Sequence, residues 1–78
     1  MSQYCTDVKA LKKAMIDAGF DTIAQLAIAS GIDRNTLGKV LKGIKKPTAD
    51  VMYKLVKAFK LAPDSAGSIF FTKNLRQM

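Results

Sequence analysis

The chain has 78 residues, with 13 Lys and Arg against 6 acidic residues, which gives a net charge of +7. A charge of this size attracts polyanions. Nucleic acid is the first candidate and an anionic membrane the second. A chain this short forms one domain, residues 1–78, with a thin core, and has no room for a two-layer enzyme with a deep cleft. The absence of His and Glu, together with a lone cysteine at Cys5, excludes an assembled catalytic set, an internal disulfide and a zinc site, so we expect no enzyme, no small-molecule substrate, no cofactor and no metal.

Two helices are predicted in the first part of the chain, over residues 7–18 and 22–30. Apolar residues recur there at helical spacing, with charged or polar residues between them. Each helix begins at a residue whose side-chain oxygen can cap it and is followed by a glycine that can end it. The candidate caps are Thr6 or Asp7 and Asp21 or Thr22, and the glycines are Gly19 and Gly31.

Three more helices are predicted over residues 33–42, 48–60 and 64–71, with Asp33 and Thr48 as caps. The last one is less regular in sequence, and residues 72–78 are interpreted as a basic tail. No segment alternates like a strand over a useful length. The predicted fold class is therefore all-α, a compact bundle of four to five short helices.

The second and third predicted helices have the residue types of a helix-turn-helix. Ala27 is small enough for two helices to cross closely, and Gly31 falls at the turn, where a positive φ is expected. Ile32, Leu37 and Val40 can then pack the third helix onto the second and onto the rest of the body.

These residues carry a resemblance to a known family. They belong to the segments Ile23-Ala24-Gln25-Leu26-Ala27, Gly31-Ile32-Asp33 and Thr36-Leu37, to Val40 and Leu41, and to Gly43 followed by Pro47-Thr48. This pattern resembles the phage repressor and Cro type of helix-turn-helix domain, also called Xre-like. The likeness covers about residues 8–70. It implies a lambda-repressor-like bundle of five helices, in which the third helix lies in the DNA major groove and the second crosses the backbone.

The resemblance also implies roles for individual residues. Arg34, Asn35 and Lys39 match positions that contact base edges, which suits the bidentate pairing of Arg with guanine and of Asn with adenine. Thr36 matches a position that contacts a base or a phosphate. The implied phosphate contacts are Thr22, Gln25, Lys42, Lys45 and Lys46, and the implied structural residues of the motif are Ala27, Gly31, Ile32, Asp33, Leu37 and Val40.

Simpler interpretations exist for the charged residues. Arg34, Asn35 and Lys39 could form a solvated helix face, but the window from Arg34 to Lys46 holds five basic residues and no acid, which favours DNA contact. The other lysines of the predicted helices are interpreted as solvated faces. They are Lys9, Lys12, Lys13, Lys54, Lys57 and Lys60.

Two residues depart from the family pattern. Ile23 stands where the family often has a Gln that touches a phosphate, so Thr22 or Gln25 takes over that contact or it is missing. Gly38 lies inside the third helix, where Gly costs up to about 1 kcal/mol against Ala. It either permits close approach to the DNA backbone or is merely tolerated.

The apolar residues near the C-terminus leave two alternatives open. Two adjacent Phe residues cannot both face the same interior of so small a body. The second Phe therefore either forms a dimer contact or makes a separate insertion into the core. The residues concerned are Ile69, Phe70, Phe71 and Leu75. A homodimer would suit the resemblance, because paired half-sites about one helical turn apart need two copies.

Taken together, the sequence predicts a transcriptional regulator, a Cro-like repressor, that binds an operator in double-stranded DNA. The alternative is a protein-interaction module of the same fold, such as an antitoxin or anti-repressor, that binds its partner through the Phe70-Phe71 region. No signal peptide or membrane span is recognised, so we expect a cytoplasmic, nucleoid-associated protein of a bacterial cell or phage-infected host.

Overall fold

The computed structural model of the chain describes residues 4–73, which form five helices and one pair of very short strands. The helices lie within one residue of the bounds expected from the sequence. They are α1 (Val8–Asp17), α2 (Ile23–Ser30), α3 (Arg34–Leu41), α4 (Ala49–Phe59) and α5 (Pro63–Phe70). The predicted all-α fold class is confirmed. Between residues 4 and 73, no helix is long and apolar enough to cross a bilayer.

The first four helices each begin at a side chain that caps them. Asp7, Thr22, Asp33 and Thr48 all accept a hydrogen bond from the backbone N–H three residues further along. Each bond satisfies one of the N–H groups that the first turn of a helix leaves without a partner. α5 has no such side-chain bond and starts instead with Pro63, whose fixed φ suits a first helical position.

The prediction of a tail from residue 72 onward is wrong for its first two residues. Thr72–Lys73 forms strand β2, which pairs antiparallel with β1, Tyr4–Cys5. Asp7 continues this contact, because its N–H donates to the carbonyl of Ile69 over 2.7 Å. A ladder of two residues is too short for the alternation that identifies a strand in a sequence, and its partners lie at opposite ends of the chain.

The core is built from the inner faces of all five helices. Twelve apolar residues are buried in it, and no polar or charged residue among the described ones is buried. The side chains with almost no exposed surface are Leu11, Leu26, Leu37, Leu55 and Val40. Three of these five belong to α2 and α3, so the helix-turn-helix is anchored in the core together with α1 and α4.

The end of α4 provides a first test of this fold, because Lys60 adopts a left-handed conformation with φ 55°. This conformation costs an L-residue roughly 1–2 kcal/mol, a cost that glycine avoids. Glycine also makes the unfolded chain more flexible, which stabilises the unfolded state and offsets part of the gain in folding free energy. We therefore expect Lys60→Gly to raise the free energy of unfolding by about 0.5–1 kcal/mol, measured by urea denaturation. Lys57→Gly, inside the same helix, should lower it by about 1 kcal/mol. Destabilisation by both substitutions would contradict the left-handed conformation at residue 60.

Candidate nucleic-acid interface

The start of α2 is fixed by a reciprocal pair of hydrogen bonds. The Gln25 N–H donates to Oγ1 of Thr22 over 3.1 Å, and the Thr22 N–H donates to Oε1 of Gln25 over 3.2 Å. Oε1 also accepts from the N–H of Asp21 over 2.7 Å. This is a capping box, which the Thr-x-x-Gln spacing could have revealed in the sequence. Thr22 and Gln25, two of the five residues predicted to contact phosphate, are thus held in place, with the Gln25 amide NH₂ and the Thr22 hydroxyl proton still able to donate.

The turn between α2 and α3 depends on a glycine and a serine. Gly31 has φ 75°, the positive value expected from the sequence, and its N–H donates to the Ala27 carbonyl over 2.9 Å. The Ser30 hydroxyl donates to the Leu26 carbonyl over 2.7 Å and accepts from the N–H of Ile32 over 3.2 Å. Ser30 therefore joins the last turn of α2 to Ile32, the second residue after the helix, a role that the sequence analysis missed.

α3 has one face in the core and the opposite face in solvent. Leu37, Val40 and Leu41 are buried, and Ile32 is buried just before the helix. Helical periodicity puts Asn35, Lys39 and Lys42 along one exposed stripe on the far side. Arg34 is exposed at the start of the helix, and Thr36 is half-buried at its edge. The proposed base-reading residues Arg34, Asn35 and Lys39 are thus all accessible.

The three lysines predicted to contact phosphate lie at the end of α3 and in the loop after it. Gly43, with φ 77°, donates to the Val40 carbonyl, and Ile44 donates to the Lys39 carbonyl over 2.9 Å. These two bonds form a Schellman motif, which ends the helix and turns the chain outward. Lys42, Lys45 and Lys46 are exposed around this turn. The fold therefore brings these three lysines together at the C-terminal end of α3.

The surface formed by α3 and the loop after it contains no acid of its own, since residues 34–46 hold five basic residues and no Asp or Glu. Asp33, just before α3, uses its carboxylate to accept the Thr36 N–H over 3.1 Å. Within residues 4–73 a single ion pair is found, between Lys54 and Asp50 on α4, with its N and O atoms 3.0 Å apart. α3 and the following loop thus present an exposed basic surface, the feature by which proteins bind nucleic acid phosphates.

The two residues that depart from the family pattern line the same groove of the fold. Ile23 is half-buried and packs against the core. It lines a groove between α1 and α3 together with Gly38. A Cβ built on Gly38 would meet no heavy atom within 4 Å, so the fold itself does not require glycine there.

Gly38→Ala therefore separates the two interpretations of this glycine. Because an interior helical Ala is favoured over Gly and meets no clash, we expect the free energy of unfolding to rise by up to about 1 kcal/mol. If a DNA backbone approaches Gly38 closely, the same variant will bind DNA more weakly although it is more stable. Thermal unfolding and DNA titration of one preparation measure both effects, and unchanged DNA affinity would mean that the glycine is merely tolerated.

The C-terminal residues considered for a dimer contact differ in their exposure. Ile69 and Phe70 are buried in the core, so they are not available for a contact between folded copies. Phe71 is 57% exposed, which agrees with the expectation that two adjacent Phe residues cannot both face inward. Leu75 lies outside the described residues. Among the described residues of this set, Phe71 is the one exposed for a dimer contact.

Comparison with known families gives a match to the central part of the chain. The family model described as helix-turn-helix matches residues 11–65, which include all of α2, α3 and α4. A search of curated proteins and a search of solved structures each gave no significant match.

Proposed function

Because the chain belongs to the Xre/lambda repressor-like helix-turn-helix family of DNA-binding regulators, we propose that it is a transcriptional regulator that binds a specific operator in double-stranded DNA. α3 enters the major groove, where Arg34, Asn35 and Lys39 contact base edges. The observation that carries this proposal is the exposed, acid-free face of α3, whose opposite face is anchored in the core.

Some of the proposed contacts determine sequence specificity, and the others determine affinity. The basic loop contributes charge without sequence information, so Lys42, Lys45 and Lys46 set affinity and register. Thr22 and Gln25, fixed by the capping box, donate to a phosphate from the start of α2. Binding at a promoter then excludes the transcription machinery, and the protein acts as a Cro-like repressor without a catalytic step.

Selection from a random pool of duplex DNA at physiological salt tests this function. We expect a recovered sequence made of two inverted half-sites about one helical turn apart, since a symmetric dimer presents two copies of α3. The double variant Arg34→Ala/Asn35→Ala, selected in parallel, should recover little or no common sequence. A wild-type selection that enriches nothing over the starting pool would contradict the proposal.

We also propose that Phe71 forms the contact between two copies of the chain. It borders a hollow of about 110 Å³ that Pro47, Met52 and Phe70 also line. An aromatic ring beside such a hollow can insert into the matching surface of a second copy, and burial of a Phe contributes about 1.5–3 kcal/mol. The same surface would serve a different protein if the chain is an antitoxin or anti-repressor instead.

Phe71→Ser is the corresponding prediction. We expect the dissociation constant of the homodimer, measured by sedimentation equilibrium, to rise at least about tenfold, because each 1.4 kcal/mol changes it by a factor of ten. Ile28→Ser is the matched control, since Ile28 is 86% exposed on α2, away from this hollow. A monomeric wild-type chain, or equal dissociation constants for both variants, would contradict the homodimer contact. The surface around Phe71 would then be assigned to a different protein partner.

A further inference from the structure

A groove of about 320 Å³ lies between α1 and α3, and its lining is mostly apolar. Met15 and Leu41 line it from the core, and Ile16 on α1, which is 63% exposed, adds apolar surface that faces solvent. The volume falls at the lower end of the range of roughly 300–1,000 Å³ that is typical of small-molecule sites. None of the DNA contacts proposed above uses these apolar side chains, so they are available to a different ligand.

Charged side chains from three segments border the same groove. Lys12 belongs to α1, Lys42 follows the last turn of α3, and Asp21 precedes α2. All three are exposed, and two ammonium groups against one carboxylate give the border a net positive charge. An apolar lining with a positive border suits a ligand that has a hydrocarbon body and a single negative charge.

We propose that this groove binds a small aliphatic carboxylic acid, and that the bound acid weakens the binding of DNA by α3. The hydrocarbon chain contacts Met15, Ile16 and Leu41, and the carboxylate faces the ammonium groups of Lys12 and Lys42. The effect on DNA rests on the proposed function, which assigns Lys42 to a phosphate. The acid is bound and released unchanged, so it is an effector and not a substrate.

Lys42 couples the two ligands, because its ammonium belongs both to the groove and to the exposed stripe of α3. A carboxylate held there neutralises a charge that the proposed function gives to a DNA phosphate, and it repels the phosphates nearby. Acid and operator therefore compete for one side chain. Since the coupling of two ligands is reciprocal, the operator must weaken binding of the acid by the same factor.

The two sides of α1 supply matched controls. Lys12 and Ile16 line the groove beside α3, whereas Lys13 and Asp17 line a separate hollow of about 290 Å³ on the side of α4 and α5. Lys12 and Lys13 are adjacent in sequence, both exposed and equal in charge. Replacing either lysine removes the same charge from the chain, but only the loss of Lys12 removes it from the groove.

NMR titration of the isotope-labelled chain with decanoate tests the site without DNA. We expect saturable shifts of the backbone amide signals of Ile16, Gly38 and Lys42, which line the groove. The signals of Ala10 and Ser65, in the other hollow, should stay in place. Decylamine has a similar chain and the opposite charge, and butyrate has the same charge and a short chain. Each should bind at least about tenfold more weakly than decanoate.

Two pairs of variants locate the ligand within the groove. Lys12→Ala should bind decanoate about fivefold more weakly, whereas Lys13→Ala should change the affinity less than about 1.5-fold. Asp21→Asn removes a repulsion and should bind decanoate about twofold more tightly, and Asp17→Asn should leave the affinity unchanged. The backbone N–H of Asp21, which donates to Gln25, is retained in the Asn variant.

The selected operator is then titrated with and without saturating decanoate over a range of salt concentrations. We expect decanoate to weaken operator binding about three- to tenfold. The salt slope, the change of log affinity with log salt concentration, should fall by about 0.9, because Lys42 no longer pairs with a phosphate.

Three results would each overturn the inference. They are unshifted groove amides, equal decanoate affinities of Lys12→Ala and Lys13→Ala, and an operator affinity that decanoate leaves unchanged. The NMR titration contains no DNA, so a wild-type chain that binds decanoate in the groove but enriches no operator would contradict the proposed function and leave the acid site in place.

Discussion

Replacing Leu26 with alanine is expected to lower the free energy of unfolding by about 3 kcal/mol, within the 2–5 kcal/mol typical of buried Leu→Ala changes. Leu26 has 0% exposed surface and lies in α2 at the centre of the helix-turn-helix. A chain of this length has a total stability of roughly 4–12 kcal/mol, so the loss is a large part of the whole. Urea denaturation followed by circular dichroism measures it, and DNA binding should fall with the folded fraction.

Ile28→Ala is the matched control, two positions along the same helix. Ile28 is 86% exposed, so its truncation removes almost no buried surface and should change stability by less than about 0.5 kcal/mol. Comparable losses for both variants would mean that α2 does not pack through Leu26 as described. The pair also separates the two apolar faces of α2, of which only one contributes to the core.

The helix bounds could be predicted because the decisive interactions are local. Asp33 and Thr48 cap the helices that follow them through hydrogen bonds that span three residues, and Gly31 ends α2 with a positive φ that few other residues adopt. Each of these signals involves neighbours in sequence, so residue type alone identifies it. Where two caps were open, Asp7 and Thr22 form the bonds.

The interactions that the sequence did not reveal either join residues far apart in the chain or involve a side chain whose hydrogen-bond partner the residue type does not specify. The pairing of β1 with β2 connects two-residue segments near opposite ends of the chain, and nothing in either segment specifies the other. Ser30 is an ordinary helix residue until the turn brings the N–H of Ile32 to its hydroxyl. The strand pairing follows from the packed fold, whereas the Ser30 bonds are local but belong to a residue type that forms them at only some positions.

The candidate site also has one part that could be predicted from the sequence and one part that could not. Helical periodicity alone separates the buried Leu37 from the exposed Asn35 and Lys39, so the outer face of α3 could be predicted. Periodicity on α1 cannot distinguish Lys12 from Lys13, since both face outward. Only the packing of α1 beside α3 gives the two lysines different neighbours.

Arg34→Ala and Lys46→Ala are expected to affect DNA binding in different ways. Arg34 is exposed at the start of α3, where a bidentate pair with guanine would discriminate by about 1–3 kcal/mol, so its loss should weaken operator binding by roughly ten- to a hundredfold and relax preference at one or two base pairs. Lys46 lies in the loop after α3, and its proposed contact is with a phosphate and not with a base. Its loss should weaken binding to operator and random DNA by the same factor and lower the salt slope by about one.

Titration of both variants against the selected operator, against single-base variants of it and against random duplex separates these effects. Lys57→Ala is the control, because the Lys57 ammonium lies 5.3 Å from the centre of the Tyr53 ring on α4 and no DNA contact is proposed for it. Specificity is a difference of two affinities, so a residue that reads bases must change that difference, whereas a residue that binds phosphate must leave it unchanged. An equal loss on operator and random DNA for Arg34→Ala would therefore remove Arg34 from base recognition while leaving the basic surface as the site of phosphate contact.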